Sequence, residues 1–299
     1  MAQFITNLKE TFKRGNIYIQ LIYINVGVFI LTSLFEVFMT LFKLSASPIL
    51  HLFDLPASVT KFATQPWSLI TYMFMHAGFM HILFNMLWLY WFGSLFLYFF
   101  SSKHLRGLYI LGGLCGGILY MLAYNIFPYF QGSIDFSFLL GASASVLAIV
   151  IATAYREPNY KVNLLFLGAI RLKYIAAFMV ITDLIFITSD NGGGHIAHLG
   201  GALAGLWFAI ALNKGHDITS WINHVLDWVS GLFNFRRHKS NKKAKMRVHY
   251  GSRTDEYDYN ARKKTQSDEI DRILDKLKKS GYENLTTDEK KSLFDASRK

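Results

Sequence analysis

Apolar residues come in long runs between residues 17 and 212, and from residue 236 onward the chain is polar. A helix needs about 20 apolar residues to cross a bilayer. Six runs approach that length: residues 17–35, 80–100, 105–127, 138–155, 172–187 and 196–212. Several are short or interrupted by glycine and polar residues, which a bundle interior tolerates better than a lipid-facing surface. The pattern predicts an all-α membrane protein: a six-transmembrane-helix bundle over residues 16–213, preceded by a polar segment over 1–15 and followed by a short helical tail. The N-terminal basic residues lead into the first run without a small-residue cleavage site, so that run reads as a retained helix and not a signal peptide.

The basic residues orient the bundle. Lys9, Lys13 and Arg14 precede the first run, Lys103 and Arg106 separate the second and third, Arg156, Lys161, Arg171 and Lys173 separate the fourth and fifth, and Lys214 follows the sixth. The alternate loops hold only Lys43 and Lys61. By the positive-inside rule both termini are cytoplasmic, and runs two, four and six pass from outside to inside. The first outer loop, residues 36–66, is long and rich in Phe, Leu and Ile, and is expected to lie partly in the membrane interface.

The tail divides into three. Residues 214–235 carry Trp221, Ile222, Val225, Leu226, Trp228 and Val229 among polar positions, an amphipathic helix suited to the inner membrane surface. Residues 236–266 are polar and expected to be a flexible linker; their basic run, 236–247, is expected to attract anionic lipid rather than nucleic acid, because it follows a membrane helix directly. Residues 267–299 are expected to form a small helical hairpin, with helices over 267–279 and 287–297, a capping box of Thr286 and Glu289, and a seam of Ile270, Ile273, Leu274, Leu277, Leu293 and Phe294.

Composition agrees with this division. Of 299 residues 52% are hydrophobic and only 17% charged, against about 25% charged in soluble domains. Cys115 is the single cysteine, which excludes an intramolecular disulfide and a thiolate metal cluster within one chain.

Polar residues inside membrane helices are costly and mark candidate sites. Entering the second run, His81 and Asn85 stand at i, i+4 on one face, with His76 a turn and a half earlier. Opening the fourth, Gly141-Ala142-Ser143-Ala144-Ser145 sets Ser143 in a first helical turn, where free backbone N–H groups and the positive helix end suit a developing oxyanion. Each group alone also reads as ordinary helix packing. Entering the sixth, His195 and His198 stand at i, i+3; the glutamate of a His-Glu-x-x-His zinc protease is missing, so no metal and no cofactor are expected. Asp183, Glu36 and Asn25 read as structural hydrogen-bonding residues.

Depth and direction join these groups. Ser143, His198, His81 and Asn85 all lie near the outer ends of runs that point the same way. Ala144, Ala148 and Ala152 form a small-residue stripe on the fourth run, and Gly201, Gly205 and Ala209 form one on the sixth. Such stripes allow close helix approach in lipid. Facing each other, they bring Ser143 and His198 together as nucleophile and base, with His81, Asn85 and the Ser143 N–H as oxyanion donors and no acidic third member in view.

The set His76…His81…Asn85, Gly141-x-Ser143 and Ala197-His198-Leu199-Gly200-Gly201 resembles the rhomboid family of intramembrane serine proteases, bacterial type with a cytoplasmic C-terminal extension; the resemblance spans residues 16–213. It implies Ser143 as nucleophile, His198 as base, His81 and Asn85 on the oxyanion side, and His76 and His195 as further polar residues near the site. The implied activity is a Ser-His dyad endopeptidase cleaving transmembrane substrates near the outer leaflet of a bacterial inner membrane. The family's usual motif is Gly-x-Ser-Gly, whereas residue 144 is Ala, and the family's first-loop Trp-Arg pair stands here as Trp67-Ser68. Two alternatives stay open: a catalytically inactive relative that binds client transmembrane helices, and a small transporter or channel with a polar core.

Overall fold

A computed structural model describes residues 12, 15–164, 168–233 and 253–297. The chain separates into two compact units, residues 1–234 and 235–299.

The first unit contains seven principal helices: α1 (Ile17–Leu41), α2 (Phe79–Phe99), α3 (Ser102–Ile126), α4 (Ser143–Arg156), α5 (Leu172–Ile185), α6 (Gly192–Asn213) and α7 (Ser220–Phe233). Each of the six predicted apolar runs overlaps one of the helices α1 to α6. Among the described residues, four helices, α1, α2, α3 and α6, are long and apolar enough to cross a membrane. The other two, α4 and α5, have 14 residues each, about 21 Å at 1.5 Å per residue, against a hydrocarbon core of about 30 Å. The predicted fourth run began at residue 138, but Phe138–Leu139 form a strand instead, and Gly141 at φ 126° delays the helix until Ser143.

Helix α4 sits at the centre, packed by α2, α3, α5 and α6. Ten of its residues, from Ala144 to Ala154, are buried, including Val146, Leu147, Ile149 and Val150. Glycines set the closest approaches. A Cβ added at Gly201 would meet Ala144 O at 2.1 Å, and one at Gly205 would meet Ala148 O at 2.3 Å. The alanine stripe of α4 therefore faces the glycine stripe of α6, as their spacing predicts. Gly112 and Gly116 of α3 press on the same two alanines from another side. By contrast α1 buries only Leu21 and Asn25. Asn25 donates from Nδ2 to the Tyr109 hydroxyl at 3.1 Å, which ties α1 to α3.

The first loop folds on itself. Helical turns at Ser47–Leu50, Val59–Thr64 and Ser68–Thr71 surround β1 (Leu55–Pro56), which pairs antiparallel with β2 (Phe138–Leu139). Trp67 donates its indole N–H to Leu52 O at 2.8 Å, and Thr71 Oγ1 donates to Phe53 O at 2.8 Å. Burial pushes the Asp54 carboxyl above its usual range, opposed by the His51 contact at 3.0 Å. Between α4 and α5 the chain forms an antiparallel hairpin of β3 (Lys161–Leu164) and β4 (Gly168–Arg171), which the apolar pattern does not reveal. Helix α7 packs on α3: Ile222 and Asn223 are buried, Arg106 reaches Asn223 and Asp227, and Trp221 and Trp228 face outward.

The second unit contains α8 (Arg253–Ser280) and α9 (Thr287–Ser297). Helix α8 begins at Arg253, so residues 253–266 of the expected flexible linker are helical; the basic run 236–247 lies outside the described residues. Gly281, at φ 76°, ends α8. The Thr286–Glu289 capping box forms in both directions. Ile273 and Leu285 fill the hairpin core, whereas Leu274 and Phe294, expected in the seam, are exposed.

Candidate active site

Ser143 is the first residue of α4, and the turn before it is fixed from behind. Gly141 N–H donates to Tyr72 O at 2.9 Å, and the Tyr72 hydroxyl donates to Gly113 O at 2.6 Å. One residue on, Met73 O accepts from the Tyr109 hydroxyl at 3.1 Å. The serine's position is therefore referred to α3 through a buried tyrosine pair. The bond that opens α4 runs from Val146 N–H to Ala142 O at 3.0 Å. The N–H groups of Ser143, Ala144 and Ser145 find no acceptor among the described residues. They are the unsatisfied donors that every helix start leaves.

His81 Nδ1 accepts from Ala77 N–H at 3.4 Å, which leaves Nε2 to carry the ring proton. That Nε2 faces the glycine turn: a Cβ at Gly141 would lie 2.8 Å from His81 Nε2 and 3.7 Å from Ser143 Oγ. Glycine thus keeps open the space between the two groups. Asn85 is buried one turn along α2; one of its amide hydrogens goes to His81 O at 2.9 Å. His81, Asn85, Ser143 and His198 all line a single open cavity of about 810 Å³, together with Trp88, Met179 and the 136–140 segment.

His76 and His195 are not part of that wall. The His76 ring stands edge-on to His81 with centroids 5.1 Å apart, its Nδ1 3.3 Å from Phe74 O and its buried Nε2 without a partner. Ser145, on the far side of α4, is buried with an unpartnered hydroxyl and does not reach the cavity. Ala144 is likewise turned away, into the packing against Gly116 and Gly201.

One expectation is overturned. An acid does meet the histidine pair: Asp183 Oδ1 lies 2.8 Å from His198 Nδ1 and 2.8 Å from His195 Nδ1. Asp183 is on α5 and both histidines are on α6. A lone buried carboxylate at membrane depth was the available sequence signal; its partners share no spacing pattern with it. The three side chains are also close enough to hold a metal ion, with donor atoms within 4.8 Å of one another. Ser143 Oγ and His198 share the cavity without a hydrogen bond between them among the described residues.

Comparison with known proteins agrees on the membrane unit. The Rhomboid domain family matches residues 63–215, which include every residue of the cavity wall named above. A second match, to a family of unknown function (DUF6576), covers residues 254–299. The chain is 31% identical over 157 residues to the RHOMBOID-like protein 12, mitochondrial, of Arabidopsis thaliana, covering 50% of this chain and 47% of that protein. It is 28% identical over 166 residues to the Presenilin-associated rhomboid-like protein A, mitochondrial, of Danio rerio, covering 54% of this chain and 40% of that one. The chain thus spans less than half the length of each of these relatives.

Proposed function

The chain is a multi-pass membrane protein of the rhomboid family, and on that premise we propose that it is an intramembrane serine endopeptidase. The observation that carries the reading is the convergence of Ser143, His198, His81 and Asn85 on one cavity, with a glycine turn opening the space between His81 Nε2 and Ser143 Oγ. A substrate transmembrane segment unwinds into this cavity. Ser143 Oγ attacks the scissile carbonyl carbon as His198 Nε2 takes its proton. The oxyanion is held by the Ser143 N–H, His81 Nε2–H and the free Asn85 amide hydrogen, each such donor lowering the barrier by about 3–4 kcal/mol. His198 then protonates the leaving amine, and a water activated by the same nitrogen hydrolyses the acyl-enzyme.

We read the basic loops as facing the cytoplasm of a bacterial cell, so that the cavity opens toward the outer leaflet. The two relatives carry the word mitochondrial in their names. The outward tryptophans of α7 support contact with the inner membrane surface, and anionic lipid is the proposed partner of residues 236–247.

A second reading rests on the missing hydrogen bond between Ser143 and His198: a catalytically silent relative that holds client transmembrane helices. Labelling with a fluorophosphonate probe in detergent separates the two. Labelling of the wild type that disappears in Ser143→Ala and His198→Ala supports the protease. Intact, folded protein that never labels supports the silent relative.

A further inference from the structure

We propose that Asp183 and His195 are positioning residues for His198, making the catalytic unit a serine–histidine–carboxylate arrangement braced by a second imidazole. The inference rests on the protease reading. Asp183 is buried, and one of its oxygens, Oδ1, receives both histidines at 2.8 Å. An ionised carboxylate only accepts hydrogen bonds, so each Nδ1 that meets it must be the protonated ring nitrogen. For His198 this assignment has a direct consequence. With the proton held on Nδ1, the Nε2 lone pair is the one left for the cavity, which is the tautomer a general base requires.

A neutral histidine without such a partner exchanges between two tautomers and turns about its side-chain bonds, and either motion removes the base from Ser143. The carboxylate is itself on a different helix from the base. It couples α5 to α6, and its own rotation has to be stopped for the pairing to hold. His195 does that: one turn before His198 on α6, it donates to the same oxygen. It reaches no cavity atom and acts only through Asp183. Glu36 and Asn25 offer no comparable contact with the histidines; Asn25 is engaged by Leu21 O and Tyr109.

A purely structural role for Asp183 would predict lower stability but unchanged chemistry in the folded fraction. The test uses the full chain in detergent with a fluorogenic transmembrane substrate, and kcat and KM referred to folded protein. Asp183→Ala is expected to lower kcat by roughly 10⁴-fold with KM within about twofold, the scale of losing an orienting carboxylate in serine hydrolases. Asp183→Asn, closest in shape, keeps the protein folded should the alanine variant fail, and is expected to lose at least about tenfold. His195→Leu is expected to cost about tenfold and His195→Gln, which retains an N–H donor, to restore most of that. In ¹⁵N-histidine spectra the His198 Nδ1 is expected to be the protonated nitrogen in the wild type and to lose that preference in both Asp183 variants.

Wild-type turnover that needs Ser143, with kcat and the His198 tautomer unchanged in Asp183→Asn, overturns the inference alone. A wild type that neither turns over nor labels overturns the protease reading and this inference with it.

Discussion

Ala144 occupies the space that Gly116 leaves empty: a Cβ built on Gly116 would come 2.7 Å from the Ala144 Cβ. The methyl group that departs from the usual family motif is thus taken up by α3, on the side of α4 away from the cavity. Ala144→Gly is expected to leave turnover within about twofold while lowering stability by about 1 kcal/mol, through helix propensity and the small void created. Thermal unfolding in detergent beside kcat measures both. A large gain in kcat would mean that the methyl group hinders the site.

The converse change fills the same contact twice. Gly116→Ala also brings its Cβ to 2.8 Å from Ala197 O, adjacent to His198. Overpacking of this kind costs about 1–3 kcal/mol, and the displacement falls next to His198, the proposed base. A fall in both melting temperature and kcat is expected.

Gly141→Ala separates folding from chemistry. Its φ of 126° is one that a side chain rarely adopts, and the added methyl would enter the gap between His81 Nε2 and Ser143 Oγ. Turnover is expected to fall by roughly 100-fold or more, the scale of losing one oxyanion donor. Circular dichroism should still report a helical protein.

On the proposed protease reading, Asn85→Ala and His81→Ala each remove one donor to the developing oxyanion. Each is expected to lower kcat by about 10²–10³ with little change in KM, because the contact is made in the transition state. An equal rise in KM at constant kcat would assign these side chains to substrate binding instead.

The tail carries its own pH dependence. The Lys276 hydrogen bond, aided by the Thr286 backbone, holds the Glu289 carboxyl down to about 2 from an ordinary 4.5. A depressed folded pKa adds stability above the unfolded value and loses it as pH falls through the folded one. The α9 cap should therefore hold at neutral pH and weaken between about 4.5 and 2. Amide exchange at Thr286 and Glu289 against pH measures this, and Glu289→Gln should remove the dependence.

Much of this protein is local pattern. The apolar runs predict the helices, because a helix in lipid must satisfy its backbone within itself and show apolar side chains outward. The Ala144-Ala148 and Gly201-Gly205 repeats predict which faces of α4 and α6 meet, because only small residues allow that approach. Their register then carries Ser143 and His198 to the same cavity. The long polar start of α8 escaped, since a helix without an apolar stripe leaves no periodic trace.

Other features are decided only when the chain closes on itself. The start of α4 at Ser143 depends on β1 holding β2 and on Tyr72 accepting from Gly141, contacts between segments 69 to 84 residues apart. The meeting of Asp183 with His195 and His198 depends on how α5 leans against α6. A sequence can show that a buried carboxylate must find a donor. Which donor it finds is set by the packing of helices that share no repeat, and so by the tertiary structure alone.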